Sequence, residues 1–168
     1  MQAILIAAKQ LAFAKTRLAQ ALPASSERMA LAEAMFRDVL SAAVAARSAQ
    51  CVAVVTSDPA LLALARAAGA LAIDEEYPRG LNVAVRMGTA EMIRLGASAV
   101  CTVLSDIPLT AGDDIDETIG ALPQGDRAVA LVPSRDFSGT NMIARRPPDI
   151  ISTQFGRLSL VRHLDDCR

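Results

Sequence analysis

Four short stretches of the sequence carry residue types that handle phosphate. The first holds Lys9, Lys15 and Arg17 within "LIAAKQLAFAKTRLAQAL" (Leu5–Leu22), a run without a single acidic residue. Lysine meets phosphate as a mobile point charge and arginine as a two-pronged fork; a solvated basic loop is the other reading. Neither GxxxxGK[ST] nor GxGxxG is present, so this is not a P-loop or the usual dinucleotide fingerprint. The second stretch is "SDIP", where Asp106 directly follows the apolar run "AVCTVL". A carboxylate there suits a hard cation such as Mg²⁺, which often shares oxygen ligands with substrate phosphates; capping of the next turn is the alternative.

The third and fourth stretches are "SGTNM" (Ser138–Met142) and "FGRLS" (Phe155–Ser159). Each sets a hydroxyl beside a glycine, and Ser159 is placed to cap a final helix, whose N-terminus would favour an anion. Ordinary turns are the alternative for both. His163 is the one histidine, expected to be structural, with no His/Cys cluster of zinc type. Asp113, Asp114, Asp116 and Glu117 open a helix, where negative charge is stabilising.

The elements that must position these groups alternate along the chain. Ala3–Ala8 and Cys51–Val55 read as buried strands, Leu71–Ile73 as a short one, and Ala99–Leu104, Ala128–Pro133 and "NMIARR" as three more. Helical spacing runs from Ser26 to Arg47, with Ser25 or Ser26 as cap. Asp58-Pro59 starts a second helix that Gly69 stops. Further helices are expected from about Leu81 to Leu95, Gly112 to Leu122 and over "LSLVRHLDD", and "DEEYPRG" (Asp74–Gly80) reads as a polar loop. Strands separated by helices pair in parallel with right-handed crossovers, which predicts a three-layer α/β/α sandwich with a Rossmann-like, mostly parallel sheet. Ligands in such folds gather at the carboxyl ends of the strands. That is where the first cations and Asp106 fall.

Composition narrows the partners. A chain of 168 residues predicts one domain. Apolar residues are 52% and aromatics 3%, so the core must be aliphatic and rich in alanine. A net charge of −1 argues against a nucleic-acid or membrane-surface binder and makes any basic patch local. Cys51, Cys101 and Cys167 read as small buried hydrophobes in a reducing cytoplasm. The start "MQAILIAAK" lacks the features of a signal peptide, and no run approaches the ~18 apolar residues of a membrane span.

Taken together, "AKTRLA", "GLN" (Gly80–Asn82), "SDIP", "SGTN" and "FGRLSLVRH" resemble the guanylyltransferases of deazaflavin coenzyme biosynthesis, the CofC/FbiD family, in order and over essentially the whole chain. The resemblance implies a nucleotidyltransferase of GT-A type that moves GMP from GTP to 2-phospholactate, phosphoenolpyruvate or 3-phosphoglycerate and releases pyrophosphate, in coenzyme F-420 biosynthesis. It further implies a cytoplasmic homodimer. By motif, Lys9, Lys15 and Arg17 would face the GTP phosphates and take part in catalysis, Asn82 would help at the nucleotide, and Asp106 would hold Mg²⁺. Thr140, Gly156 and Ser159 would hold the acid. Two departures stand out: "AAK" replaces an expected proline before the lysine, and family members continue into a late strand with an Asp-x-Asp motif, whereas this sequence ends at "RHLDDCR". The expectation is one domain over residues 1–168 lacking the family's C-terminal segment, with Asp106 the sole carried-over metal ligand. A nucleotide or phospho-acid binder without turnover, and a transferase for another base or acceptor, are the alternatives.

Overall fold

Short aliphatic runs bounded by turn-forming residues become strands, and the amphipathic stretches between them become the covering helices. A computed structural model describes residues 1–168. The strands are β1 (Gln2–Ala7), β2 (Cys51–Thr56), β3 (Leu71–Asp74), β4 (Ala99–Leu104), β5 (Ala128–Pro133) and β6 (Thr140–Arg146). The helices are α1 (Ser25–Ala45), α2 (Pro59–Ala67), α3 (Leu81–Arg94), α4 (Gly112–Gly120) and α5 (Ser159–Asp166), and 3-10 turns occupy Leu11–Phe13 and Thr16–Leu18.

One sheet orders them β3-β2-β1-β4-β6-β5. The first four are parallel, as the helical crossovers require. β6 runs antiparallel to both its neighbours, which makes the sheet mostly parallel, as expected, and not wholly so. Its cause is local: only residues 134–139 separate β5 from β6, too few for a crossover and enough for a hairpin turn. Both faces are covered. Ile4, Ile6, Val54 and Val103 pack with Phe36 and Val39 of α1 and Ile115 of α4. Leu5, Val55, Val100 and Ile143 pack with Val85 and Met92 of α3. Gly88 lets α3 lie close on β1, because a Cβ there would stand 2.6 Å from Leu5 Cδ1. No helix is long and apolar enough to cross a membrane.

Helix starts mix expected and unexpected chemistry. Asp58 caps α2 with Pro59 behind it, accepting the Ala60 N–H at 2.9 Å and the Leu61 N–H at 3.3 Å. Neither Ser25 nor Ser26 caps α1; Ala24 holds that position and no side chain bonds there. Ser159 is likewise the first residue of α5 rather than its cap, and Leu158 precedes it in a left-handed conformation. Cys101 is buried and Cys51 half-buried, but Cys167 is exposed, contrary to expectation.

Asp58 also reaches back to the first loop, where its Oδ2 accepts the buried Leu11 N–H at 2.8 Å. Asp58→Ala therefore removes a cap worth about 1 kcal/mol and strands an amide at about 1–3 kcal/mol. Urea unfolding is expected to show a loss of roughly 2–4 kcal/mol. A loss within about 0.5 kcal/mol, ordinary for a surface change, would contradict this tether.

Candidate active site

The carboxyl ends of β1 and β4 lie side by side, with Ala7 opposite Leu104. The chain leaving β1 carries Lys9, Lys15 and Arg17; the chain leaving β4 carries Asp106. Lys15 crosses between them and donates from Nζ to Asp106 Oδ2 at 3.0 Å. The lysine side chain is 19% exposed and the aspartate 52%. Lys9 and Arg17 are exposed and pair with no acid.

β6 brings the third stretch to the same edge. Met142 pairs with Val103, so Thr140, at the start of β6, lies at the carboxyl end of β4. The turn before Thr140 is braced by Asp136. Its Oδ1 accepts from Ser134 Oγ at 2.6 Å and from the Ser138 N–H at 3.2 Å, while Oδ2 accepts from Ser138 Oγ at 2.7 Å. These bonds hold the Asp136 carboxyl down at about 2.

Beneath this turn lies a network that the sequence alone did not suggest. His163 is wholly buried and edge-on to Phe155, with ring centroids 5.4 Å apart. The Gln154 N–H donates to its Nε2 at 2.8 Å. That nitrogen must then be unprotonated, which puts the proton of the neutral ring on Nδ1. Nδ1–H accordingly donates to Thr140 Oγ1 at 3.0 Å. Ser159 Oγ lies 3.4 Å from the same oxygen. With Nδ1–H donating to its oxygen, the Thr140 hydroxyl has its own proton to give, to Ser159 Oγ or to another acceptor.

Burial first, then the charge of Arg145, pushes the His163 pKa down from 6.5, against a smaller pull from Asp166. The unfolded histidine takes up a proton as pH falls through 6.5 and the folded one resists, so the unfolded state binds more protons and stability declines with falling pH in that window. His163→Asn keeps a donor near Thr140 and cannot titrate. Relative to this variant, the wild type is expected to lose stability from pH 7 to about 5, measured by urea unfolding at each pH. Parallel curves would contradict a neutral buried histidine. The depressed carboxyls Asp116 and Asp136, both at about 2, act only well below this window.

Asn82 sits at the start of α3 and is engaged at both ends of its amide: its Nδ2 donates to the Phe155 carbonyl at 3.1 Å and its Oδ1 accepts the Phe155 N–H at 2.7 Å. The side chain thus clamps the loop that carries Gly156 and Ser159. Gly156 is exposed, with φ at 126°. Lys9 lines a cavity of about 250 Å³ together with Glu75, Gly80 and Leu81. A larger cavity of about 630 Å³, between Ile107–Thr110 and α4, contains none of the site residues expected from the sequence.

The structure thus brings Lys15 to Asp106 and Thr140 to Ser159, and ties Asn82 to the loop of Gly156. Four residues other than glycine have positive φ: Lys15 (53°), Glu76 (60°), Phe137 (56°) and Leu158 (59°). Each lies in one of the loops around this edge, where strain of order 1–3 kcal/mol apiece is retained typically for function. No three His, Cys, Asp or Glu side chains cluster to hold a metal unaided. A single carboxylate suits a cation that completes its shell with water and substrate phosphates, the habit of Mg²⁺.

Comparison with known proteins shows the family. The family described as guanylyl transferase CofC like matches residues 2–168. The phosphoenolpyruvate guanylyltransferase of Sphaerobacter thermophilus is 41% identical over 160 residues, which are 95% of this chain and 75% of the relative. The 3-phospho-D-glycerate guanylyltransferase of Phenylobacterium zucineum is 39% identical over 158 residues, 92% of this chain and 71% of the relative. Among solved structures, a protein from Desulfovibrio desulfuricans assigned as a nucleotide-diphospho-sugar transferase superposes with a TM-score of 0.68 at 20% identity. That match covers 87% of this chain and 63% of the other, and bears on the fold.

Proposed function

The chain belongs to the guanylyl transferase CofC-like family, and on that footing we propose that it joins GMP from GTP to a three-carbon phosphorylated acid in the making of coenzyme F-420. A phosphate oxygen of the acid attacks the α-phosphorus of GTP. The new P–O–P bond forms as the bond to the β-phosphate breaks, and pyrophosphate leaves. Two polyanions must be brought together, so catalysis is chiefly alignment and charge neutralisation, and no protein nucleophile is needed.

Lys9, Lys15 and Arg17 neutralise the triphosphate. Asp106 would hold Mg²⁺, which when bound withdraws charge from phosphate oxygens and the leaving group. The Thr140 hydroxyl, with its proton still to give, and the backbone at Gly156 and Ser159 hold the acid. Asn82 acts at one remove, by fixing the Phe155 backbone. The observation that supports this reading is the Lys15–Asp106 pair at 3.0 Å, in which a cation of the first loop meets the candidate metal ligand at the carboxyl ends of β1 and β4. In the free protein each neutralises the other; with substrate, each has a phosphate or a cation to turn to. We also infer a cytoplasmic setting, which three unpaired cysteines suit, and a homodimeric state.

The test is release of pyrophosphate from GTP and Mg²⁺ with phosphoenolpyruvate and 3-phospho-D-glycerate, the acids in the relatives' names, and with 2-phospholactate. Release with one acid and none without it is expected. GTP binding by calorimetry with no release for any acid would point instead to a binder that does not turn over.

A further inference from the structure

Glu75 lies just beyond β3, with its N–H bonded to the Thr56 carbonyl at 3.2 Å. It is 4% exposed. No lysine or arginine forms an ion pair with it, and its Oε2 is buried with no hydrogen-bond partner. Burial raises its pKa, opposed by the Arg79 N–H and guanidinium. An ionised carboxyl can only accept hydrogen bonds; the Arg79 N–H serves this one from one side, and leaving Oε2 buried without a donor is costly. Such a group calls for a ligand that brings donors.

The cavity that Glu75 lines indicates which ligand. At about 250 Å³ it falls below the roughly 300–1,000 Å³ of pockets that take whole drug-sized molecules, and suits one flat ring system. Ala7, Leu81 and Ala84 give it apolar walls, and Phe13, 62% exposed, supplies an aromatic face on which a base can stack. Lys9 also lines it, so a nucleoside seated there has a first-loop cation at hand for its phosphates.

We propose that Glu75 selects guanine, its carboxylate accepting the N1–H and N2–H₂ of the base edge. This rests on the function proposed above and adds the residue that reads the base. Guanine is the one common base that presents two adjacent donors on that edge. Adenine and cytosine set a donor beside an acceptor, and uracil sets its one donor between two carbonyls. A carboxylate would face a lone pair or a carbonyl in each of those cases.

Calorimetry with GTP, ITP and XTP on the wild type reads this selection directly, whether or not the chain turns over. ITP lacks the 2-amino donor, and XTP replaces it with a carbonyl. GTP is expected to bind about 10- to 100-fold more tightly than either. Glu75→Gln, checked for folding by circular dichroism, offers an amide that accepts N1–H and donates to the XTP carbonyl. It is expected to lose about 10- to 100-fold for GTP and to reverse the preference between GTP and XTP. Equal wild-type affinities for the three nucleotides would overturn the proposal. So would a folded Glu75→Gln that keeps the wild-type order. If that variant does not fold, the wild-type comparison decides alone. Failure of pyrophosphate release with selection intact would refute the transfer reaction and leave the base-reading role standing.

Discussion

Asp106→Ala is expected to lower the rate of pyrophosphate release by on the order of 10³-fold with the protein fully folded. The size follows from what the carboxylate would do. It is the acidic side chain at the point where β4 ends and the first-loop cations arrive, and no other His, Cys, Asp or Glu cluster is there to replace it. Without it, a cation bridging the phosphates loses its protein anchor, and positioning is most of what such a catalyst supplies. Stability should move little, because a half-exposed ion pair is worth about 0.2–1 kcal/mol. Asp106→Asn should be nearly as inactive, since an amide keeps the shape and loses the charge. Activity within about tenfold of wild type in either variant would contradict the assignment.

Lys15→Ala is expected to reduce kcat/KM for GTP by about 10²–10³-fold. Lys15 is the first-loop cation already held at the site, in a left-handed backbone conformation with φ at 53°. Lys15→Gly should behave the same way catalytically while changing stability by less than about 1 kcal/mol. Relief of left-handed strain, about 1–2 kcal/mol, is offset by glycine's entropy in the unfolded chain and by the lost ion pair. Activity lost without stability lost marks a residue retained for chemistry. Arginine at 15 should rescue only partly, because a planar fork does not reproduce a mobile point charge. Equal activity of Lys15→Ala and wild type would show that the first loop does not face the triphosphate.

The fold was legible wherever one local signal decided the outcome. β4 and β5 fall on the residues expected, because each is an apolar run closed by turn residues. α2 starts where Asp58-Pro59 says it should. Signals failed where tertiary contacts outbid local preference. Ser159 has the chemistry of a cap, but Thr140 offers its hydroxyl a partner in the buried network. β6 turns antiparallel because the preceding loop is short, a matter of length rather than residue type. Lys15, Asp106, Thr140 and Ser159 could be named from sequence because charged and hydroxyl residues beside strand ends and glycines stand out. His163 and Glu75 could not. One was a lone histidine on a helix and the other the second acid of a polar loop, and both owe their character to burial that only the packed sheet creates.

Phosphorus NMR of GTP, Mg²⁺, phosphoenolpyruvate or 3-phospho-D-glycerate and the protein in one tube tests most directly whether this strand edge joins two anions at the α-phosphorus. Pyrophosphate and the paired resonances of a new unsymmetrical diphosphate should grow together in equal amounts, and only when the acid is present. Conversion of GTP to GDP and orthophosphate, or pyrophosphate appearing without the diphosphate, would place the chemistry at another bond and contradict the account.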